Sequence, residues 1–159
     1  MNALELIKAL TTEHATPSSL LYLSNDATSM SAAVASTLPD SEIYPYQSDA
    51  ALTEELSYRG RVEVAVLISE DETTAQAMIA LAGRLRITHA DRVWLALPVD
   101  ASWQVSDLYA LAMVEHDAPP FVSGRYRVFR YDLESYTRVR EWNNARNWAN
   151  PENFHRYRW

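Results

Sequence analysis

The 159-residue chain has no cysteine, a single lysine and no apolar run long enough to cross a bilayer. Without cysteine there is no disulfide, no thiolate nucleophile and no cysteine-bound metal. A membrane-spanning helix needs about 20 apolar residues. The N-terminus carries Glu5 ahead of Lys8 and lacks the continuous apolar stretch of a signal peptide. We therefore expect a cytoplasmic protein that does not enter a membrane.

Glycine is also scarce, because the chain contains only Gly60, Gly83 and Gly124. Loops that cradle phosphate need glycine, since the backbone must approach the phosphate where a Cβ would otherwise stand. None of the three lies in the first predicted strand-to-helix loop, which excludes a dinucleotide fingerprint and a P-loop. A phosphoreceiver domain is excluded too, because Ser69 stands where an aspartate would close the third strand and the only lysine is Lys8.

The composition is that of a soluble globular protein, with 48% apolar and 22% charged residues. A chain of this length can form one domain, over residues 1–159, with one ordinary core. The net charge of −7 is uneven: residues 1–124 hold six basic and 17 acidic side chains, whereas residues 125–159 hold eight and four. An acidic body therefore carries a basic extension, and the overall charge argues against non-specific nucleic-acid binding.

Short apolar runs alternate with amphipathic segments along the body. Runs bounded by turn residues or rich in β-branched residues predict strands over residues 20–23, 42–46, 62–68, 92–97 and 126–132. Apolar residues at helical spacing predict helices over the first dozen residues and over residues 28–37, after Ser69 and after Ser106, and Asn150-Pro151 opens a last short helix.

Local details of the sequence refine these elements. Pro45 places the second strand at an edge of the sheet, because proline cannot donate a ladder hydrogen bond. Arginines 127 and 130 decorate the fifth strand as charges do on an exposed edge. A capping box formed by Ser69 and Glu72 opens the longest helix. The core face of that helix is predicted to consist of Ala75, Met78, Ile79, Ala82 and Leu85.

Alternating strands and helices are typical of a parallel α/β sheet with helices on both faces. We predict a three-layer, Rossmann-like sandwich of about five mostly parallel strands in the order 2-1-3-4-5. In such sheets the ligand binds outside the carboxyl ends of the strands, where the order reverses between strands one and three. The residues at that point form the candidate ligand cleft: Ser24, Asn25, Asp26, Ser69 and Glu70.

Two groups of acidic residues could hold a metal ion, but each has a simpler interpretation. Carboxylates at Glu70-Asp71-Glu72 complement the dipole of the helix that follows them. Glu115-His116-Asp117 reads as a solvated helix end, because three adjacent residues there cannot all point at one centre. His14, His89 and His155 are isolated in sequence and define no triad. We predict no metal site.

The extension over residues 125–159 is rich in aromatic and asparagine side chains. It can fold back over the sheet, form an interface with a second copy or another protein, or stack single-stranded nucleic acid, the least favoured of the three. Trp, Tyr and Arg dominate protein interfaces. The candidate interface consists of Trp142, Trp148, Phe154, Tyr157, Arg158 and Trp159.

The C-terminal segment WANPE at residues 148–152, followed by Arg158-Trp159, resembles the closing signature of a family of small uncharacterised bacterial domain proteins. Asp132, Trp142 and Asn144 fit the same pattern. The resemblance covers roughly the last 30 residues and implies no activity or catalytic residue. It implies a body that looks like a degenerate, glycine-poor relative of the methyltransferase-type α/β fold.

Two functions fit these observations. We favour a non-catalytic binding or protein-interaction module that needs no cofactor and associates with itself through the extension or an edge strand. The alternative is a methyltransferase-like enzyme that binds S-adenosylmethionine, or another nucleotide-derived ligand, at Asp26 and Glu70 without the help of glycines. A class I methyltransferase would also have an acidic residue closing the second strand, where this chain has Tyr46-Gln47-Ser48.

Overall fold

A computed structural model describes residues 4–5, 7–9, 15–116 and 125–136. Residues 4–5 and 7–9 are helical. The strands are β1 (Ser19–Leu23), β2 (Glu42–Tyr46), β3 (Val62–Ile68), β4 (Ala90–Pro98), β5 (Val114–Glu115) and β6 (Tyr126–Asp132). The helices are α1 (Ala27–Thr37), α2 (Asp49–Glu55), α3 (Glu72–Thr88), α4 (Val105–Ala110) and α5 (Leu133–Tyr136).

The strands form one mixed sheet in the order β2-β1-β3-β4-β6-β5. The pairs β2–β1, β1–β3 and β3–β4 are parallel, so the predicted order is correct over these strands. The predicted fifth strand is β6, which does lie beside β4 but runs antiparallel to it. The sheet also has a sixth strand, β5, beyond β6 and antiparallel to it, so the prediction of five strands with β6 at the edge was wrong.

The short strand β5 replaces the helix end predicted for Glu115-His116. The His116 backbone N–H donates to the carbonyl of Val128 at 2.9 Å, and the Glu115 carboxylate accepts two hydrogen bonds from Arg127. Arg127 therefore pairs with its neighbouring strand and does not decorate an open edge. A two-residue strand is too short to show an alternating pattern, and for this reason β5 could not be predicted.

The proline in β2 is accommodated because its nitrogen faces away from β1. Glu42 donates its backbone N–H to Ser18, and the carbonyl of Tyr46 accepts from Ser24, so the even-numbered residues of β2 face β1. Residues alternate along a strand, so Pro45 presents its backbone to the free edge, where no partner needs an N–H. The predicted edge position of this strand is confirmed.

Apolar side chains from both faces of the sheet build two separate cores. On one face Leu21 and Leu23 pack with side chains of α2, α3 and α4. On the other face Leu20 and Tyr22 pack with α1 and with Ile7. The sheet therefore lies between two layers of helices, as expected for an α/β sandwich. All five residues predicted to form the core face of α3 are buried: Ala75, Met78, Ile79, Ala82 and Leu85.

Two helices differ from the sequence analysis. The sequence patterns predict no element between residues 47 and 61, yet α2 forms there, with the Ser48 hydroxyl accepting a hydrogen bond from the Ala51 N–H as its N-cap. Helix α4 begins at Val105, one residue before the predicted cap Ser106, and ends at Ala110, before Leu111 and Ala112. The early end reflects the backbone of Ala112, whose φ of 55° is left-handed.

Hydrogen bonds to Glu63 tie together the amino ends of three neighbouring strands. The backbone N–H and hydroxyl of Ser18 donate to one carboxylate oxygen at 2.7 and 3.0 Å, and Arg92 forms an ion pair with the other. Burial alone would raise the pKa of this carboxyl, but these bonds outweigh burial and lower its pKa below the ordinary value of 4.5. The charged carboxylate therefore stabilises the fold.

We predict that Glu63→Gln lowers the free energy of unfolding by roughly 1 kcal/mol at neutral pH. Because the folded pKa lies below 4.5, the contribution of the carboxylate is fully present above that pH and is lost as the pH falls through the folded value. Urea unfolding should therefore show a lower free energy of unfolding for Glu63→Gln than for the parent protein near pH 7, and this difference should disappear near pH 3. Glu54→Gln, at an exposed glutamate of α2, serves as the control. An equal loss of unfolding free energy in Glu63→Gln at both pH values would contradict the prediction.

We also predict that Ala112→Gly raises the free energy of unfolding by up to about 1 kcal/mol. The N–H groups of Ala112 and Met113 bond to the carbonyls of Tyr109 and Leu108, which places Ala112 at the left-handed position that usually holds glycine after a helix. Thermal unfolding measures the effect. The matched control Ala110→Gly, inside α4, should lower stability by about 0.5–1 kcal/mol, and a similar loss for both variants would refute the assignment.

Candidate functional site

The loops that follow β1, β2 and β3 meet at the carboxyl edge of the sheet. Residues 24–26 connect β1 to α1, residues 47–48 connect β2 to α2, and residues 69–71 connect β3 to α3. Ser24 and Ser69 are the two buried polar residues in the part of the chain that the structure describes, and each directly follows a buried strand. These two buried serines therefore mark the ends of β1 and β3.

Glu70 bridges the loops after β1 and β3. One of its carboxylate oxygens accepts from the Ser24 hydroxyl and the other from the Asn25 side-chain amide, each at 3.3 Å. The structure therefore brings together three residues of the candidate ligand cleft, Ser24, Asn25 and Glu70. Both bonds are long and lie in partly or fully exposed positions, so we expect each to contribute little to stability. The bridge spans the mouth of the cleft.

Asp26 lies at the start of α1 and its side chain makes no capping hydrogen bond. Its backbone N–H donates to the Ser24 hydroxyl at 3.3 Å, and its carbonyl accepts from Met30 in the first turn of the helix. Its side chain is exposed beside the cleft. Asp26 is therefore fixed by its backbone, and its carboxylate is not committed to the cap.

Ser69 is not the N-cap of α3, contrary to the predicted capping box. Its backbone N–H still bonds to the Ala96 carbonyl in the sheet at 3.0 Å, so the chain cannot turn into the helix until two residues later. Asp71 is the cap, and its carboxylate accepts from the Thr74 N–H at 2.9 Å. Hydrogen bonds from Thr73 and then Thr74 lower the pKa of Asp71. The Ser69 hydroxyl instead donates to the Asp71 carbonyl at 2.8 Å.

Gln47 also lies at the cleft, although it was not among the predicted cleft residues. Its side-chain amide donates to the Asn25 carbonyl at 3.5 Å, and the preceding carbonyl of Tyr46 accepts from the Ser24 N–H at 3.1 Å. The signal was present, because Gln47 is the first polar residue after β2, just as Ser24 follows β1. The cleft therefore has three polar loops around it and not two.

A cluster behind the end of β2 holds this strand against α2. The Arg59 guanidinium lies 3.9 Å from the centre of the Tyr44 ring and forms an ion pair with Glu55. Tyr46 packs beside them, and burial, the largest cause, raises the pKa of its phenol well above the ordinary value. The Ser24 N–H donates to the Tyr46 carbonyl, so this cluster also helps to hold the loop after β1 in place.

Three further predictions concern a metal site, a membrane-spanning helix and the C-terminal interface. Within residues 4–5, 7–9, 15–116 and 125–136 no group of three or more His, Asp or Glu side chains is arranged to hold a metal ion. None of the helices in those ranges has the length and apolar character needed to cross a bilayer. The candidate interface lies outside the described residues: Trp142, Trp148, Phe154, Tyr157, Arg158 and Trp159.

The fold is similar to that of methyltransferases. A protein from Nostoc punctiforme described as an O-methyltransferase superposes with a TM-score of 0.52 at 13% identity, over 80% of this chain and 54% of that one. The present chain thus spans about half the length of that neighbour. Fibrillarin from Aeropyrum pernix, solved with bound S-adenosyl-L-methionine, gives a TM-score of 0.47 at 10% identity, over 79% of this chain and 73% of its own.

The α/β architecture and its methyltransferase-like character, expected from the sequence and from its resemblance, are confirmed at the level of the fold. No curated protein matches the sequence. One family model does match, and it extends over residues 1–159. Because the match covers all 159 residues, the protein belongs to the family of unknown function DUF6231.

Proposed function

We propose that this domain binds S-adenosylmethionine, or a close adenosyl relative, at the carboxyl edge of β1 and β3. The observation that carries the proposal is the position of the buried polar groups. Ser24 and Ser69 are buried and directly follow these two neighbouring strands, and the Glu70 carboxylate reaches across to Ser24 and Asn25. Sheets of this kind bind ligands at the point where the strand order reverses, which here is this edge.

The scarcity of glycine disfavours nucleotide-derived ligands that are held through a phosphate and favours those without one. A phosphate needs several backbone N–H groups exposed without an intervening Cβ, and residues 24–26 and 69–71 contain no glycine. S-adenosylmethionine carries no phosphate. Its ribose hydroxyls, amino group and positively charged sulfonium suit carboxylates, hydroxyls and amides, which are the groups found in this cleft. The same loops that exclude a dinucleotide are therefore compatible with an adenosyl ligand.

Each polar residue of the cleft has a distinct role in this proposal. Glu70 accepts hydrogen bonds from the ligand, replacing the two 3.3 Å bonds that it makes to Ser24 and Asn25. Gln47, at the end of β2, stands where a class I methyltransferase would have an acidic residue, and its neutral amide offers a weaker partner for ribose hydroxyls. We infer that the cleft binds its ligand with modest affinity.

We predict that S-adenosylmethionine stabilises the protein against thermal unfolding. A ligand present at one hundred times its Kd adds about 2.7 kcal/mol, which for a chain of this size raises Tm by roughly 5–10 °C. A thermal-shift titration should compare S-adenosylmethionine and its demethylated product with ATP and NAD. Only the first two compounds, which carry no phosphate, should raise Tm. The absence of any shift with millimolar S-adenosylmethionine would refute the proposal.

The variant Glu70→Ala tests whether Glu70 contacts the ligand or only closes the cleft. If the carboxylate holds the ligand, the variant should bind S-adenosylmethionine at least about tenfold more weakly in calorimetry, because a charged hydrogen bond contributes about 1.5–3 kcal/mol. If Glu70 only closes the cleft, its removal should leave affinity unchanged or increase it. Glu54→Ala, at an exposed carboxylate of α2, controls for the loss of one negative charge.

A second proposal concerns the basic extension, which favours the protein-interaction module. Residues 125–159 combine a charge of +4 with three of the five tryptophans, and they follow a body with a charge of −11. Aromatic and arginine side chains dominate the energetics of protein interfaces. We propose that the extension contacts a second copy of the chain or another protein.

We predict that deletion of residues 142–159 lowers the number of chains per assembly, measured by light scattering as the observed mass divided by the mass of one variant chain, and leaves the binding of S-adenosylmethionine unchanged. A full-length chain with Trp142, Trp148 and Trp159 replaced by serine should behave in the same way. Circular dichroism checks that both variants fold. A parent chain that is already a monomer, and stays one in both variants, would count against this role.

A further inference from the structure

An open groove lies beside the last strand of the sheet, far from the candidate cleft. It has a volume of about 530 Å³ and is lined chiefly by Tyr109, Ala112, Met113, Val114, Arg130 and Asp132. We refer to these residues as the β5 groove. It is formed where the chain turns from α4 into β5 and passes over the second half of β6.

The β5 groove presents apolar surface to solvent. Tyr109 and Val114 are each 59% exposed, and they are two of the five large apolar side chains that are exposed in the described part of the chain. The other three, Tyr58, Ile87 and Val99, do not line it. Single exposed apolar residues need no explanation, but exposed apolar residues that share a concave surface indicate a site of contact.

Two opposite charges flank this apolar surface. Arg130 and Asp132 lie two residues apart on β6, so their side chains emerge on the same face of the sheet. Arg130 makes no ion pair with any described residue. One oxygen of Asp132 accepts a hydrogen bond from the Glu134 N–H, and the other is left for a further partner. The groove thus carries one cation and one anion around an apolar centre.

We propose that the β5 groove is a two-fold self-association surface of this chain. A contact across a two-fold axis uses the same patch on both copies, so the patch must complement itself. Here the apolar side chains of Tyr109 and Val114 meet their counterparts, while Arg130 of each copy pairs with Asp132 of the other. A partner of uniform charge would satisfy only one of the two charged residues.

The contact is made by side chains and not by added strands. His116 directs its backbone to β6, and Val114, two residues away, does the same, so among the described residues 114–116 only Glu115 offers free backbone groups at the edge. An edge this short cannot support a ladder with another strand. The expected interface is therefore a packing of two grooves, with affinity set by apolar burial and specificity set by the reciprocal ion pairs.

The first experiment measures the mass of the full chain by sedimentation velocity over a range of concentrations. We expect a species of twice the monomer mass of 18.1 kDa, and we expect Val114→Lys to weaken its formation at least tenfold by placing a charge in the apolar centre. Ile87→Lys is the matched control, because Ile87 is an equally exposed apolar residue outside the groove. This control should leave the assembly unchanged.

A charge exchange tests the reciprocal pairing directly. Arg130→Glu and Asp132→Arg should each weaken self-association, whereas an equimolar mixture of the two variants should associate again, because every pair across the axis is then of opposite sign. Asp132→Asn is a second variant that keeps an acceptor for the Glu134 N–H, and it should weaken the assembly without affecting the fold. Thermal unfolding checks all of the variants.

Three outcomes would overturn the proposal. The chain could remain a monomer at all concentrations. An assembly could form that is insensitive to Val114→Lys and to both charge variants. The exchanged variants could also fail to associate when mixed although each folds. An assembly that survives these changes but is lost on deletion of residues 142–159 would assign self-association to the extension and not to the β5 groove.

Discussion

The burial of β3 and β4 on both faces is the constraint on which the rest of this domain depends. Nearly all of their side chains are shielded from water, so both faces of the sheet need a cover of helices. The two buried polar residues of the described chain lie where strands end. Ser24 and Ser69 occupy that position, and Glu63 with Arg92 occupies the opposite edge. The apolar core thus determines where polar side chains can cluster.

The carboxyl edge of the sheet keeps the strand arrangement of the methyltransferase-like fold but has different loop chemistry. A methyltransferase-like sheet brings the ends of β1 and β3 together whatever the loop sequences are. In this chain the loops contain no glycine and carry a serine, an asparagine and a glutamate that bond to one another. The position of the candidate cleft thus comes from the topology, and its polar character comes from these few side chains.

The sequence predicted the layers and the strand neighbours well, because those depend on long, repetitive patterns. The apolar runs at Val62–Ile68 and Ala90–Pro98 and the helical spacing in Glu72–Thr88 are signals of this kind. The errors lie where one contact overrides local preference. Ser69 stays in the sheet through a bond to Ala96, so Asp71 became the cap. Of the cleft, the loops after β1 and β3 were predicted, and Gln47 could have been added as the first polar residue after β2. The bridge made by Glu70 depends on distances that spacing does not encode.

The orientation of Pro45 has a consequence for how large an assembly of this domain can become. At the outer rim of β2 the proline leaves a carbonyl without the neighbouring N–H that an arriving strand would need. The opposite rim of the sheet is only two residues long. Within the described residues, neither margin therefore offers the run of backbone groups that strand addition by another molecule would need, which disfavours enlargement of the sheet at both ends.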